Sequence, residues 1–293
     1  MTDRLSVVLR GGGDLATGVA LRLHRAGFRI TVLEIPQPTV IRRAVAFASA
    51  VYDGSTVVEG VTARLVRLDD DLESIWQSGE APVVVDPGAS ILSRLRPDTL
   101  VDAIMAKRTP SAAPSTALRA RLPAPFGRGL RRAGLGTHID DAPIVVALGP
   151  GFTAGVDCHA VVETNRGHSL GRVYYAGTAE ANTGVPGAVG GQDALRVVRA
   201  PADGVFQSLR TIRDRISRGD SIGRVEDFAV TSQIDGVLRG ILHDGLIVHA
   251  GMKVADVDPR GVVEYCFTVS DKAWAVGGGV LEAILHLLTA SSP

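Results

Sequence analysis

The stretch that most restricts what this chain can fold into is Gly11-Gly12-Gly13-Asp14-Leu15-Ala16-Thr17-Gly18, which follows the apolar run Leu5 to Leu9. Apolar positions then recur at Val19, Leu21, Leu23 and Ala26 and stop at Gly27, the pattern of a helix closed by glycine. A second apolar run, Ile30 to Leu33, ends on Glu34. Strand, glycine loop, helix and strand in this order make a parallel crossover unit. Glycines let a ligand approach the backbone, and the free amides of the following helix N-terminus favour an anion. Ala16 stands where the dinucleotide fingerprint usually has its third glycine, and Glu34 where an acid would reach a ribose hydroxyl. The spacing marks Gly11, Gly12, Gly13, Asp14, Leu15, Thr17 and Glu34 as candidate cofactor-binding residues. Asp14 would repel a pyrophosphate, which argues against ordinary NAD binding.

Further buried strands are expected at Pro82 to Asp86, Thr99 to Ile104 and Ile144 to Leu148, each nearly continuous in apolar residues. Residues 1–155 therefore read as a Rossmann-like, doubly wound parallel sheet of nucleotide-binding type. Residues 109–136, rich in proline and arginine, read as a surface excursion from it. Lys107 follows one strand as a candidate phosphate partner. Gly149-Pro150-Gly151-Phe152-Thr153 follows another, and Gly149, Gly151, Phe152 and Thr153 could wrap the same anion. In the connecting segment 156–196, Asp157 and His159 share a strand face, but two ligands make no metal site and none is expected.

The later chain repeats itself at an offset of 32: Asp203-Gly204-Val205 aligns with Asp235-Gly236-Val237, Ile216 with Val248, and Ile222 with Val254. Each copy reads as an Asp-Gly turn into a strand followed by a glycine turn into another. Residues 197–258 thus resemble a biotinyl/lipoyl-like barrel-sandwich hybrid. The turn between its halves, Val225 to Val230, has no lysine, so a carrier role is disfavoured. A C-terminal strand and helix fill 259–293, the strand at Val262 to Val269 and the helix at Val280 to Leu288. Cys266 and Lys272 are the candidate catalytic pair there, the thiol becoming a thiolate if a cation lies near.

Lys+Arg and Asp+Glu both number 31, so no global field draws the chain to nucleic acid or an anionic membrane. Two cysteines suit a reducing, cytoplasmic setting. No signal-peptide pattern or membrane span is read, since Glu282 and His286 interrupt the C-terminal apolar segment.

Several stretches together carry a family resemblance: Arg10 to Gly18, Val101 to Lys107, Leu148 to Asp157, Asn182 to Gly187, Ala200 to Phe206 and Cys266 to Lys272. The chain resembles the YqeB family of proteins associated with selenium-dependent molybdenum hydroxylases. The resemblance implies an accessory role in maturing such enzymes, xanthine dehydrogenase among them. It implies as ligand a nucleotide-bearing or pterin cofactor, molybdopterin or its dinucleotide, and as partners the client hydroxylase or other maturation factors. Self-association is left open. Two alternatives stand beside this reading: an NAD(P)-dependent oxidoreductase sharing the glycine loop, and a non-catalytic scaffold or docking protein. The oxidoreductase lacks a visible acid–base constellation.

Overall fold

The computed structural model describes residues 4–105, 136–181, 191 and 194–290. Its centre is a nine-stranded sheet. The strands are β1 (Ser6–Arg10), β2 (Arg29–Glu34), β3 (Ser55–Val58), β4 (Val61–Val66), β5 (Ala81–Val85), β6 (Thr99–Asp102), β7 (Ile144–Leu148), β8 (Ala160–Val162) and β9 (Val173–Tyr174). They lie in the order β3-β4-β5-β2-β1-β6-β7-β8-β9. The seven inner strands are parallel, and the two edges, β3 and β9, run antiparallel to their neighbours.

Alternation along the strands splits the core in two. Val7, Leu9, Ile30, Val32, Val101 and Val146 face a long-helix layer, while Val8, Leu33, Val84, Leu100, Val145 and Ala147 face the other side. The helix layer is α1 (Asp14–Arg25) with the C-terminal helix α5 (Asp271–Ala290). Among the described residues, the opposite face carries α3 (Glu73–Gln77), α4 (Leu92–Leu95) and loops with Leu72, Ile91 and Phe152. A further short helix, α2 (Ala50–Asp53), precedes β3.

Glycines set the distance between α1 and α5. A β-carbon on Gly18 would meet Ala273 Cβ at 2.6 Å, and one on Gly277 would meet the Gly18 carbonyl oxygen at 2.9 Å. A β-carbon on Gly279 would collide with the Gly171 carbonyl. Gly277-Gly278-Gly279 therefore lies inside the helix, which begins nine residues before the expected Val280. At 20 residues, α5 is long and apolar enough to cross a membrane by length and composition alone, as the core helix of a folded protein also can be. Here it buries Ala273, Val276, Val280, Ala283 and Ile284 against α1 and the sheet.

The β-rich region holds β10 (Val197–Arg199), β11 (Gly204–Ser208), β12 (Arg215–Ile216), β13 (Ser221–Val225), β14 (Phe228–Thr231), β15 (Gly236–Ile241), β16 (Ile247–Val248) and β17 (Lys253–Asp258). These form two four-stranded sheets, β10-β17-β15-β12 and β14-β13-β11-β16, around one core with Phe206, Ile222, Leu238, Ile241 and Val254. The copies exchange strands: β12 pairs with β15, and β11 with β16.

This architecture corrects the expected fold class. The sheet is mixed rather than parallel. It extends through β9, past the boundary placed at residue 155, and it is covered by a helix from the far end of the chain. Nor is the β-region a separate biotinyl/lipoyl-like module. Ile41 packs into its core, Arg43 Nε donates to the Ile241 carbonyl at 2.8 Å, and the Ile41 carbonyl sits where a β-carbon on Gly240 would be, 2.7 Å away. The C-terminal strand expected at Val262 to Val269 is instead a 3-10 turn, Val263–Cys266. Lys107, nearly all of the excursion at 109–136 and the stretch Asn182 to Gly187 lie outside the described residues.

Candidate functional site

The parallel strands end together, and the loops beyond their carboxyl ends form one wall of a cavity of about 920 Å³. Arg10 and Gly11 come from β1, Leu33 and Glu34 from β2, Asp86 from beyond β5, and Ala103 and Ile104 from beyond β6. Pro150 and Gly151 follow β7, and Thr164 follows β8. The facing wall is the β-region, with Arg196 beside β10, Arg199 on it, Arg239 on β15, and Lys253 and Asp256 on β17. Arg42 and the start of α5, Ser270 and Lys272, close the sides.

The cations are dense and mostly tied down. Asp256, fully buried, takes Arg239 through Nε at 2.8 Å and Nη2 at 2.6 Å, takes Arg196 on its other oxygen, and lies 3.4 Å from Lys253 Nζ. Arg239 also donates to Asp258 at 2.9 Å, which Arg260 clasps from outside at 2.7 Å. Burial acts to raise the Asp256 carboxyl, but Lys253, Arg239 and Arg196 outweigh it and hold the carboxyl below its ordinary value. Desolvation lowers Lys253 despite that same carboxylate. Two buried carboxylates thus serve four cations, and this wall keeps a net positive charge.

Arg42, 8% exposed, is anchored through Nη2 to the Tyr265 and Thr268 carbonyls at 3.0 and 2.9 Å, and Nη1 lies 3.6 Å from Asp14. Its buried Nε has no hydrogen-bond partner among the described residues. Desolvation, and Arg239 nearby, lower its pKa from the usual arginine value.

The glycine loop is not the open phosphate cradle its sequence suggested. Gly11 N–H donates to the Leu33 carbonyl at 2.8 Å and Gly12 N–H to Glu34 Oε2 at 2.8 Å. Glu34 Oε1 accepts from Ile35 N–H, so both carboxylate oxygens serve the backbone and the ribose role expected of Glu34 is corrected. Burial raises its pKa, partly offset by those amides. Thr17 Oγ1 accepts from Phe47 N–H at 2.9 Å and donates back to the loop, a buried structural hydroxyl. Only Gly13, Asp14, Leu15 and Ala16, the first turn of α1, remain on the cavity wall with Gly11. A β-carbon on Gly13 would meet nothing within 4 Å.

The second loop contributes less than expected. Gly151 lines the cavity, but Gly149 N–H is spent on the Val162 carbonyl and Phe152 is core. Thr153 N–H takes the Asp157 carboxylate at 2.8 Å. The proposed pair separates: Lys272 lines the cavity, whereas Cys266 is 1% exposed with its thiol toward the Leu238 carbonyl at 3.8 Å. Burial raises the Cys266 pKa, the wrong direction for a nucleophilic thiolate. Cys158 is pushed up to about 12 by burial, and His159 Nδ1 accepts from Val145 N–H as a structural residue. No cluster of metal-ligating side chains occurs among the described residues. The sequence reading missed the Arg196–Arg239–Lys253–Asp256 cluster. Its one trace was charge inside otherwise apolar strands, as in Val237-Leu238-Arg239 and Val254-Ala255-Asp256.

Fold and site together define an α/β protein with a cation-lined cleft between a mixed sheet and a β-sandwich. The chain belongs with the YqeB family: it is 48% identical over 282 residues to the uncharacterized protein YqeB of Escherichia coli K12, covering 96% of this chain. It spans about half, 48%, of that relative's length. No family model matches the chain. Among solved structures, an aspartoacylase family protein from Mesorhizobium loti covers 87% of this chain and 84% of its own at 10% identity and a TM-score of 0.24. A succinylglutamate desuccinylase/aspartoacylase from Rhodobacter sphaeroides covers 87% and 85% at 17% identity and a TM-score of 0.26. These likenesses are too slight to transfer chemistry. The curated relative is itself uncharacterized. The site itself corrects the expected role in molybdenum hydroxylase maturation with a pterin or nucleotide cofactor, and with it the oxidoreductase alternative that shares the glycine loop. The Gly11 and Gly12 amides are spent on Leu33 and Glu34, and Cys266 is buried away from Lys272.

Proposed function

We propose that this chain binds a compact small molecule bearing two or more acidic groups, in the cleft between the sheet's carboxyl edge and the β-sandwich. One observation carries the reading: eight cationic side chains line a single cavity against five acidic ones, and most of those acids are already committed. Glu34 and Asp86 hold backbone amides, Asp256 holds its three cations, and Asp14 faces Arg42. Arg10, Arg166 and Arg239 also have Asp102, Asp271 and Asp258 as partners behind the wall. The positive charge left for an anionic ligand is therefore chiefly that of Lys272 and of Arg42, whose buried Nε has no hydrogen-bond partner among the described residues. Ile35, Pro38, Val40, Ile41 and Met105 give the cavity an apolar floor for a carbon skeleton.

Titration calorimetry with citrate, 2-oxoglutarate and pyrophosphate tests this. Binding of at least one is expected, weakening as salt is added. Arg42→Lys, which keeps the charge and loses the fork, should weaken binding about tenfold, on the scale of one charge-assisted hydrogen bond. Absence of heat and of any Tm change with all three at millimolar concentration overturns the proposal.

A further inference from the structure

Of the 31 basic residues in this chain only three are lysine: Lys107, Lys253 and Lys272. Two of the three line the cleft. At these positions the chain has what its arginines lack: an amine that can lose its proton and attack. The two lysines differ in their surroundings. Lys253 lies 3.4 Å from Asp256 and has a counter-ion. Lys272 Nζ has neither hydrogen bond nor ion pair among the described residues, although three carboxylates act on it electrostatically.

Each of those carboxylates is engaged elsewhere. Asp271 is held in a fork by Arg166 at 2.6 and 2.9 Å. Glu163 accepts the amides of Thr164, Asn165 and Glu180 at 2.7 Å each. Asp14 pairs with Arg42 at 3.6 Å. Lys272 is thus half-buried, close to Arg166, at the start of a helix locked onto α1, and without a counter-ion of its own among the described residues. Desolvation first and Arg166 second favour its neutral form.

We propose that Lys272 forms a reversible imine with a carbonyl-bearing anion, a 2-oxo acid, whose carboxylates rest on the cationic wall. This deepens the binding reading above and rests on it. The neutral amine's lone pair attacks the keto carbon. The carbon–nitrogen bond forms as the carbon–oxygen bond breaks, and the oxygen leaves as water with the two amine protons.

The full chain is incubated with oxaloacetate or 2-oxoglutarate and reduced with borohydride, then analysed by intact mass and peptide mapping. One reduced adduct on the peptide containing Lys272 is expected with at least one acid, and none for Lys272→Arg, whose folding is checked by Tm. Citrate, which has no ketone, serves as the non-covalent probe. Citrate binding without any adduct, or an adduct on Lys253 or Lys107 instead, overturns the imine and leaves the cleft reading intact. No adduct together with no binding of citrate, 2-oxoglutarate or pyrophosphate overturns both.

Discussion

Gly12 and Gly13 are neighbours with opposite duties. A β-carbon on Gly12 would lie 2.9 Å from Ala48 N, where the loop packs on backbone that cannot yield, while Gly13 faces open space. Gly12→Ala is expected to cost about 1–3 kcal/mol in chemical denaturation, as for other overpacked sites. Gly13→Ala should cost well under that and act on ligand affinity instead. Asp256 is the other decisive residue. Asp256→Asn leaves Arg196, Arg239 and Lys253 buried with too little negative charge, a loss of roughly 3–5 kcal/mol by the same denaturation measurement. Because the folded pKa values of Asp256 and Asp258 are depressed, their stabilisation is present above the unfolded value near pH ~4. It is lost as pH falls through the folded values. Stability measured from pH 6 downward should drop steeply in the native chain and less steeply in Asp256→Asn.

The helix pair α1 and α5 shows how small residues set the geometry of an element. Gly18 and Gly277 let the two backbones touch, whereas Gly278 meets only the end of the Arg22 side chain, at 3.8 Å. Gly18→Val should lower Tm strongly, with an overpacking cost of about 1–3 kcal/mol or more, and Gly278→Ala should leave it nearly unchanged. The first turn of α1 and the second residue of α5 both face the cleft, so a shift of this pair would move Asp14 and Lys272 together. Much of this level was readable. The apolar runs around β1, β2, β5, β6 and β7 lie within a residue or two of their strands, because strands buried on both faces are apolar throughout. The offset of 32 likewise located the glycine starts of β11 and β15. The edge strands β3 and β9, the inner strands β4 and β8 beside them and the true start of α5 escaped notice. Edge strands are only partly apolar, and three consecutive glycines look like a turn until a partner helix is seen to need them.

At the scale of the whole molecule, the cleft exists only because residues far apart in sequence face each other across it. Ligand saturation should stabilise the fold by about 2.7 kcal/mol at a hundredfold excess over Kd, read as a Tm rise that shrinks with salt. The glycine loop, the acid after β2 and the lysine at the head of α5 were all visible as letters. Their local chemistry followed from residue type and spacing, which fix what a backbone can adopt and which groups can ionise. What Glu34 does with its oxygens, that Cys266 is buried away from Lys272, and that Arg196, Arg239 and Lys253 converge on Asp256 were settled only by tertiary packing. Burial and pairing are properties of the neighbours a side chain meets after folding, and no local pattern encodes which strand will cross the mouth of which sheet.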